Sequence, residues 1–321
     1  MKYQRLGNSG LSVSRICLGG NSWGAAGHRI WNAFDAAASK LFFARALDLG
    51  INFFDTSNSY NGGESESVMG QELLPAVPRD ELVIATKVGW HLSERPNDAG
   101  LGRKHLLSSL DASLRRLRTD YVDLLILHRF DTGTPIEETL TALGDCVRSG
   151  KVRYLGCSTM RPTQFARLHL TAKAEGLPCF IAMQSLYNLL DRDDEADLNK
   201  FCREEGIGLT PYSPLARGQL ARVPGQRISD RSIKDAQGKR YENPDHAEII
   251  AHVLNLAAKH KVSPGQVALS WLLAQEGVAA PVVGVSRLEQ IDEAVAAVET
   301  DIPRNEFAAL APTAEVNRQR N

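Results

Sequence analysis

The sequence predicts an α/β fold, a closed (β/α)8 TIM barrel with an N-terminal β-hairpin and a long loop after its seventh strand. Three observations carry that expectation. Eight short apolar runs alternate with longer amphipathic segments. Most of the runs carry apolar residues on both faces, as strands covered by helices on both sides do. No break in composition divides the 321 residues, and single barrels extend over roughly 200–400 residues. The chain is therefore read as one domain spanning residues 1–321.

The elements follow in order. Residues 2–6 and 11–15 flank Gly7-Asn8-Ser9-Gly10 and read as the hairpin. The strand candidates are 15–20, 51–57, 82–89, 121–128, 152–159, 180–188, 208–215 and 280–285. Leu106, Leu107, Leu110, Leu114 and Leu117 recur at helical spacing and predict a helix over 103–118. Thr134 and Pro135, with Glu137 and Glu138 behind them, predict a capped helix start, and Ser149-Gly150 its end. Ser263-Pro264 opens a further helix through Val267, Leu269, Trp271 and Leu272. The loop at 216–243 holds Arg217, Arg222, Arg227, Arg231, Lys234, Lys239 and Arg240. A loop of that length in a compact domain is a lid, a binding loop or partly disordered.

An open doubly wound sheet is the competing closure, but it calls for G-x-G-x-x-G after the first strand. The first strand here ends in Gly19-Gly20-Asn21-Ser22-Trp23-Gly24, which lacks that spacing. A net charge of −1 with scattered Lys and Arg gives no nucleic-acid footprint. No apolar window reaches membrane length, and the N-terminus has no apolar signal core. Cys17, Cys146, Cys157, Cys179 and Cys202 are far apart and form no CxxC pair. A reduced, cytoplasmic protein without a resident metal is expected.

Function is concentrated at strand ends. Asp55, Lys87 and His128 end three successive apolar runs, and Tyr60 follows Asp55 by five residues. An unpaired charge away from water costs several kcal/mol or more, so three buried strands ending in ionisable groups point to one shared polar site. One His, one Asp and one Lys do not make a closed zinc site, and no G-x-S-x-G elbow is present. A tyrosine beside an ammonium is suited to protonating an oxyanion as it forms. His128 would then orient a carbonyl, and the electrons would come from a bound hydride donor. Singly, each residue has a plainer reading as a cap, a snorkelling lysine, a core histidine or a loop aromatic. Together they are hard to read that way.

Seven segments then carry a resemblance: FFDTSNSYNGGESESVMG, VIATKVG, DLLILHRFD, YLGCSTM, MQSLYNLLDR, PYSPLARGQL and APVVGVSRLEQIDEA. Together they resemble the aldo-keto reductase family, in its order and at its spacing, and HRFD with SRLEQIDEA is most similar to a bacterial and fungal branch that includes YajO-like reductases. The resemblance implies NADP(H) bound in extended form without a Rossmann motif, and a small carbonyl substrate. It implies Tyr60 as general acid, Lys87 and Asp55 as its electrostatic support and His128 as the orienting group. It places Ser158 and Gln184 on the nicotinamide carboxamide and Tyr212 against the ring. Ser213, Leu215 and Gly218 fall along the pyrophosphate. Gly284, Ser286, Arg287, Gln290 and Glu293 fall at the adenosine end, with Ser286 or Arg287 meeting a 2′-phosphate. Thr159 and Ala294 stand where many members carry Asn. The family also includes potassium-channel β subunits, which makes a cofactor-sensing regulatory subunit the alternative; the absence of a long extra N-terminal segment favours a free enzyme. A sugar-phosphate oxidoreductase using the basic loop is a third reading. Trp23, Trp90 and Phe130 follow strand ends and are candidates for the substrate pocket wall, weighed against simple packing.

Overall fold

The computed structural model describes residues 1–24, 34–222, 236–241 and 243–310. Strands β1 (Tyr3–Arg5) and β2 (Ser12–Ser14) pair antiparallel with Gln4 opposite Val13. The turn between them needs Gly7 at φ +58°, where a Cβ would lie 2.6 Å from the Gly206 carbonyl oxygen.

Eight parallel strands follow: β3 (Cys17–Gly19), β4 (Phe53–Asp55), β5 (Val83–Val88), β6 (Val122–Leu127), β7 (Val152–Ser158), β8 (Phe180–Gln184), β9 (Gly208–Leu209) and β10 (Val282–Val283). Their order is β10-β3-β4-β5-β6-β7-β8-β9. Bridges from Leu209 to Val278 and from Tyr212 to Val282 join the two edges, with Val282 N donating to the Pro211 carbonyl at 2.8 Å. The ring is the expected (β/α)8 barrel.

The seventh and eighth strands are shorter than their apolar runs. Pro211 and Pro214 carry no N–H for a ladder, and Ser213 turns to φ +52°; Pro281 shortens β10 in the same way.

The outer layer comprises α1 (Ala36–Asp48), α2 (Glu64–Val68), α3 (Arg103–Leu117), α4 (Ile136–Arg148), α5 (Pro162–Ala174), α6 (Leu198–Glu204), α7 (Ala247–His260), α8 (Pro264–Leu273) and α9 (Glu289–Glu299). The start of α8 is as expected, with Ser263 and Gln266 forming a reciprocal capping box. The start of α4 differs. Pro135 takes the cap position without a side-chain cap, because the Thr134 hydroxyl donates instead to Asp131 Oδ2 at 2.7 Å. Glu137 and Glu138 remain in the first turn, where the helix dipole favours anions.

The period of two along each strand sorts the core into two shells. Leu18, Phe54, Ile84, Leu125, Leu155 and Met183 join the large cluster shared with the helices. Cys17, Phe53, Val83, Ala85, Leu124, Ile126 and Ala182 form a separate interior cluster with Leu6 and Val13 of the hairpin. Asp55, Lys87, Ser158 and Gln184 continue the interior parity, so each strand carries its last inward position to the C-terminal mouth.

Candidate active site

The four strand-end residues meet at that mouth. Lys87 Nζ donates to Asp55 Oδ2 at 2.5 Å, to the Thr56 carbonyl at 2.9 Å and to Tyr60 Oη at 3.0 Å. All three ammonium protons therefore have acceptors. Lys87 is 0% exposed and Asp55 1%. Burial alone would lower the Lys87 pKa, but the charges of Asp55 and Tyr60 and the hydrogen bonds to both outweigh it and hold the value above the ordinary lysine range. The lysine is thus a fixed cation with its counter-ion on one side and a phenol on the other.

Tyr60 opens a short turn, Tyr60–Gly63, in which Asn61 and Gly62 adopt positive φ. That turn brings the phenol back over the strand ends, with the Lys87 ammonium also 4.6 Å from its ring centre. His128 lies one residue beyond β6. Its backbone N–H donates to the Val88 carbonyl at 2.8 Å and its Nδ1 is 3.2 Å from Ser57 Oγ. The imidazole meets the Tyr60 ring edge-on at 5.8 Å and the Trp90 ring at 5.7 Å.

Of the residues expected to hold a nicotinamide cofactor, Ser158 and Gln184 are register partners at the ends of β7 and β8. Gln184 Nε2 donates to Asp55 Oδ1 at 2.9 Å, while Ser158 Oγ is 3.1 Å from Thr159 Oγ1. Gln184 Oε1 has no partner among the described residues. A carboxamide needs one donor and one acceptor, and the Ser158 hydroxyl with the Gln184 carbonyl supplies that pair. Tyr212 neighbours Val282 at the barrel seam, and burial raises its pKa. Leu215 and Gly218 bracket a turn closed by Gly218 N–H to the Leu215 carbonyl at 2.8 Å, with Gly218 at φ +95°. The Ser286 and Arg287 amides both donate to Gln290 Oε1, at 2.7 and 3.1 Å. Gly284 precedes this turn, and Glu293 lies on α9.

The three pocket-wall candidates separate. Trp23 is 1% exposed and packs among Phe34, Phe42 and Phe43 at ring distances of 5.1–5.7 Å. Phe130 packs partly buried against the same outer core. Trp90 alone stands exposed beside His128. Of the basic loop, Arg240 pairs with Asp191 at 2.5 Å and Arg222 donates to Gln219 at 3.3 Å. Arg227, Arg231 and Lys234 lie outside the described residues.

Sequence reading missed two supports. Ser57, two residues after Asp55, holds His128. Behind β5, Glu66 on α2 is 0% exposed. Its Oε1 accepts from Thr86 Oγ1 at 2.5 Å and its Oε2 from Arg116 Nε at 2.7 Å. On the same outer face Ser65 Oγ is 2.7 Å from Thr56 Oγ1 and donates to the Gly20 carbonyl at 2.6 Å. The short helix thereby clamps the residues that follow Asp55 and precede Lys87. The spacing GGESES hints at a turn, but the burial of its second glutamate follows only from the packing of α2 beneath α3.

Comparison with known proteins agrees with this geometry. The chain matches the aldo/keto reductase family over residues 15–315. An aldo-keto reductase of Metarhizium robertsii is 38% identical over 330 residues, covering 95% of this chain and 88% of its own length. A versiconal hemiacetal acetate reductase of Aspergillus parasiticus is 36% identical over 332 residues, covering 97% and 96%. Barrel and relatives together define an oxidoreductase acting on carbonyl or alcohol groups. The chain belongs to the aldo/keto reductase family, whose members generally use NAD(P)H.

Proposed function

We propose that the protein is an NADPH-dependent reductase of aldehydes and ketones, with Tyr60 as the general acid. The observation that carries this reading is the fully buried Lys87 ammonium, held by Asp55 and 3.0 Å from the Tyr60 hydroxyl. NADPH supplies the hydride when bound, and Ser158, Gln184 and Tyr212 are the residues that would hold its nicotinamide end. His128 donates a hydrogen bond to the substrate carbonyl and fixes its direction. Tyr60 Oη delivers a proton to the oxygen as negative charge develops there, and Lys87 stabilises the phenolate left behind. Asp55 keeps the lysine charged and, through Gln184, ties the acid's support to the cofactor seat.

Preference for NADPH over NADH rests on Ser286 and Arg287. Arg287 is exposed and has no carboxylate partner among the described residues, which leaves its guanidinium for a 2′-phosphate. The chain is read as one domain, and among the described residues no helix is long and apolar enough to cross a membrane.

The test is Tyr60→Phe, followed by NADPH oxidation with 4-nitrobenzaldehyde. A positioned general acid contributes about 10²–10⁴-fold, so kcat falls by at least two orders of magnitude. NADPH titrated by fluorescence quenching binds the variant within about threefold of wild type. Wild-type turnover in the variant would remove Tyr60 from the acid role, and titration of NADH alongside NADPH tests the cofactor preference.

A further inference from the structure

One exposed cation beside the mouth meets no anion among the described residues. Arg129 follows His128 directly and is exposed. Its guanidinium carbon lies 4.6 Å above the Trp90 ring centre, and that ring meets the His128 imidazole edge-on at 5.7 Å. Trp90 is 41% exposed, and Leu92 on the same loop 39%. Among the described residues Arg129 forms no ion pair. The nearest acid in sequence, Asp131, is engaged elsewhere: it accepts from the Leu101 amide at 2.7 Å, the Gly133 amide at 2.8 Å and the Thr134 hydroxyl at 2.7 Å.

We propose that Trp90 and Arg129 form a recognition element for aromatic carbonyl substrates that carry an anionic substituent, of the carboxylate class. The inference rests on the reductase reading, because it takes His128 as the group that meets the carbonyl oxygen. The exposed indole beside the reacting position, with the guanidinium over its ring, offers an arene an aromatic contact. The guanidinium on that indole offers the far end of the arene a bidentate cation matched to a carboxylate. The indole touches both groups, with the guanidinium over its face and the imidazole perpendicular to it. A structural role alone, with Arg129 serving only to hold the indole, requires no preference for charge.

The experiment compares 4-carboxybenzaldehyde with its methyl ester as substrates for NADPH-linked reduction. Wild type favours the acid in kcat/KM. In R129Q the acid-to-ester ratio falls about tenfold, mostly through KM, as expected for binding that is equal in ground and transition states. R129K keeps the charge without the planar fork and retains part of the preference. Raising the salt to about 0.5 M depresses the wild-type rate with the acid more than with the ester, because exposed charges are screened. Equilibrium binding of terephthalate, measured by calorimetry, gives a readout apart from turnover, with Kd about tenfold weaker in R129Q. A ratio and a Kd that are the same in R129Q and wild type would overturn the proposal while leaving the reductase reading intact. A wild type that reduces neither aldehyde removes the reductase reading and this inference together.

Discussion

Replacing Asp55 by Asn isolates what the lysine's counter-ion contributes. The amide keeps an oxygen for Gln184 Nε2 and nearly the same volume, but removes the charge 2.5 Å from Lys87 Nζ. The two side chains are 2% and 0% exposed, so solvent screening gives no relief. Breaking a buried ion pair while leaving one charge behind costs about 3–5 kcal/mol. A chain of this length carries an unfolding entropy of roughly 0.7 kcal/mol/K at its midpoint, so the melting temperature drops by about 4–7 °C near neutral pH.

The pH dependence gives a sharper test. In wild type the folded-state pKa of Lys87 is raised. That contribution is present below the unfolded lysine value of about 10.4 and is lost as pH rises through the higher folded value. In the variant burial remains and the anion is gone, so the folded state favours the neutral amine. Stability of the variant then rises with pH up to the ordinary lysine range, and its gap to wild type narrows. Thermal melts between about pH 7 and about pH 9.5 read this directly. An unchanged midpoint at neutral pH, or a gap constant across that range, would refute the assignment of a charged Lys87 stabilised by Asp55.

Two further outcomes test the support behind the strands. Arg116→Met leaves the Glu66 carboxylate without its cation and costs about 3 kcal/mol in urea unfolding, the lower end for a buried pair because the Arg116 side chain is 28% exposed. Adding Glu66→Gln recovers most of the loss, and additive effects in that cycle would show the two residues uncoupled. Gly70→Ala places a methyl 2.3 Å from the Arg116 carbonyl oxygen and 2.6 Å from the Leu117 carbonyl carbon. Backbone cannot rotate away as a side chain does, so α3 must shift, at a cost of about 1–3 kcal/mol; an unshifted urea midpoint would contradict the close approach.

Much of the barrel was legible because its signals are local. Apolar runs at strand length, leucines at helical spacing and the Ser263-Pro264 start each report on a few neighbouring residues. The candidate site positions were legible for a related reason: a charge ending a buried run is anomalous without any knowledge of its partners. Prolines decided the shortened strands, and Pro211, Pro214 and Pro281 stood in plain view in those runs. The cap at Thr134 failed because Asp131, three residues earlier, offers its hydroxyl a nearby acceptor that competes with the helix end.

The sequence by itself determined which residue types reach the mouth, since the period of two along each strand brings Asp55, Lys87, Ser158 and Gln184 to the same inward face. Only the tertiary structure decided how they connect. The bond from Gln184 to Asp55 spans 129 residues of sequence, and the hold of Ser57 on His128 spans 71. The same is true of the pocket candidates: Trp23 and Trp90 both follow strand ends, yet one is sealed among three phenylalanines and the other stands open beside His128. Periodicity reports the face a side chain takes, whereas burial depends on what the rest of the chain brings against that face.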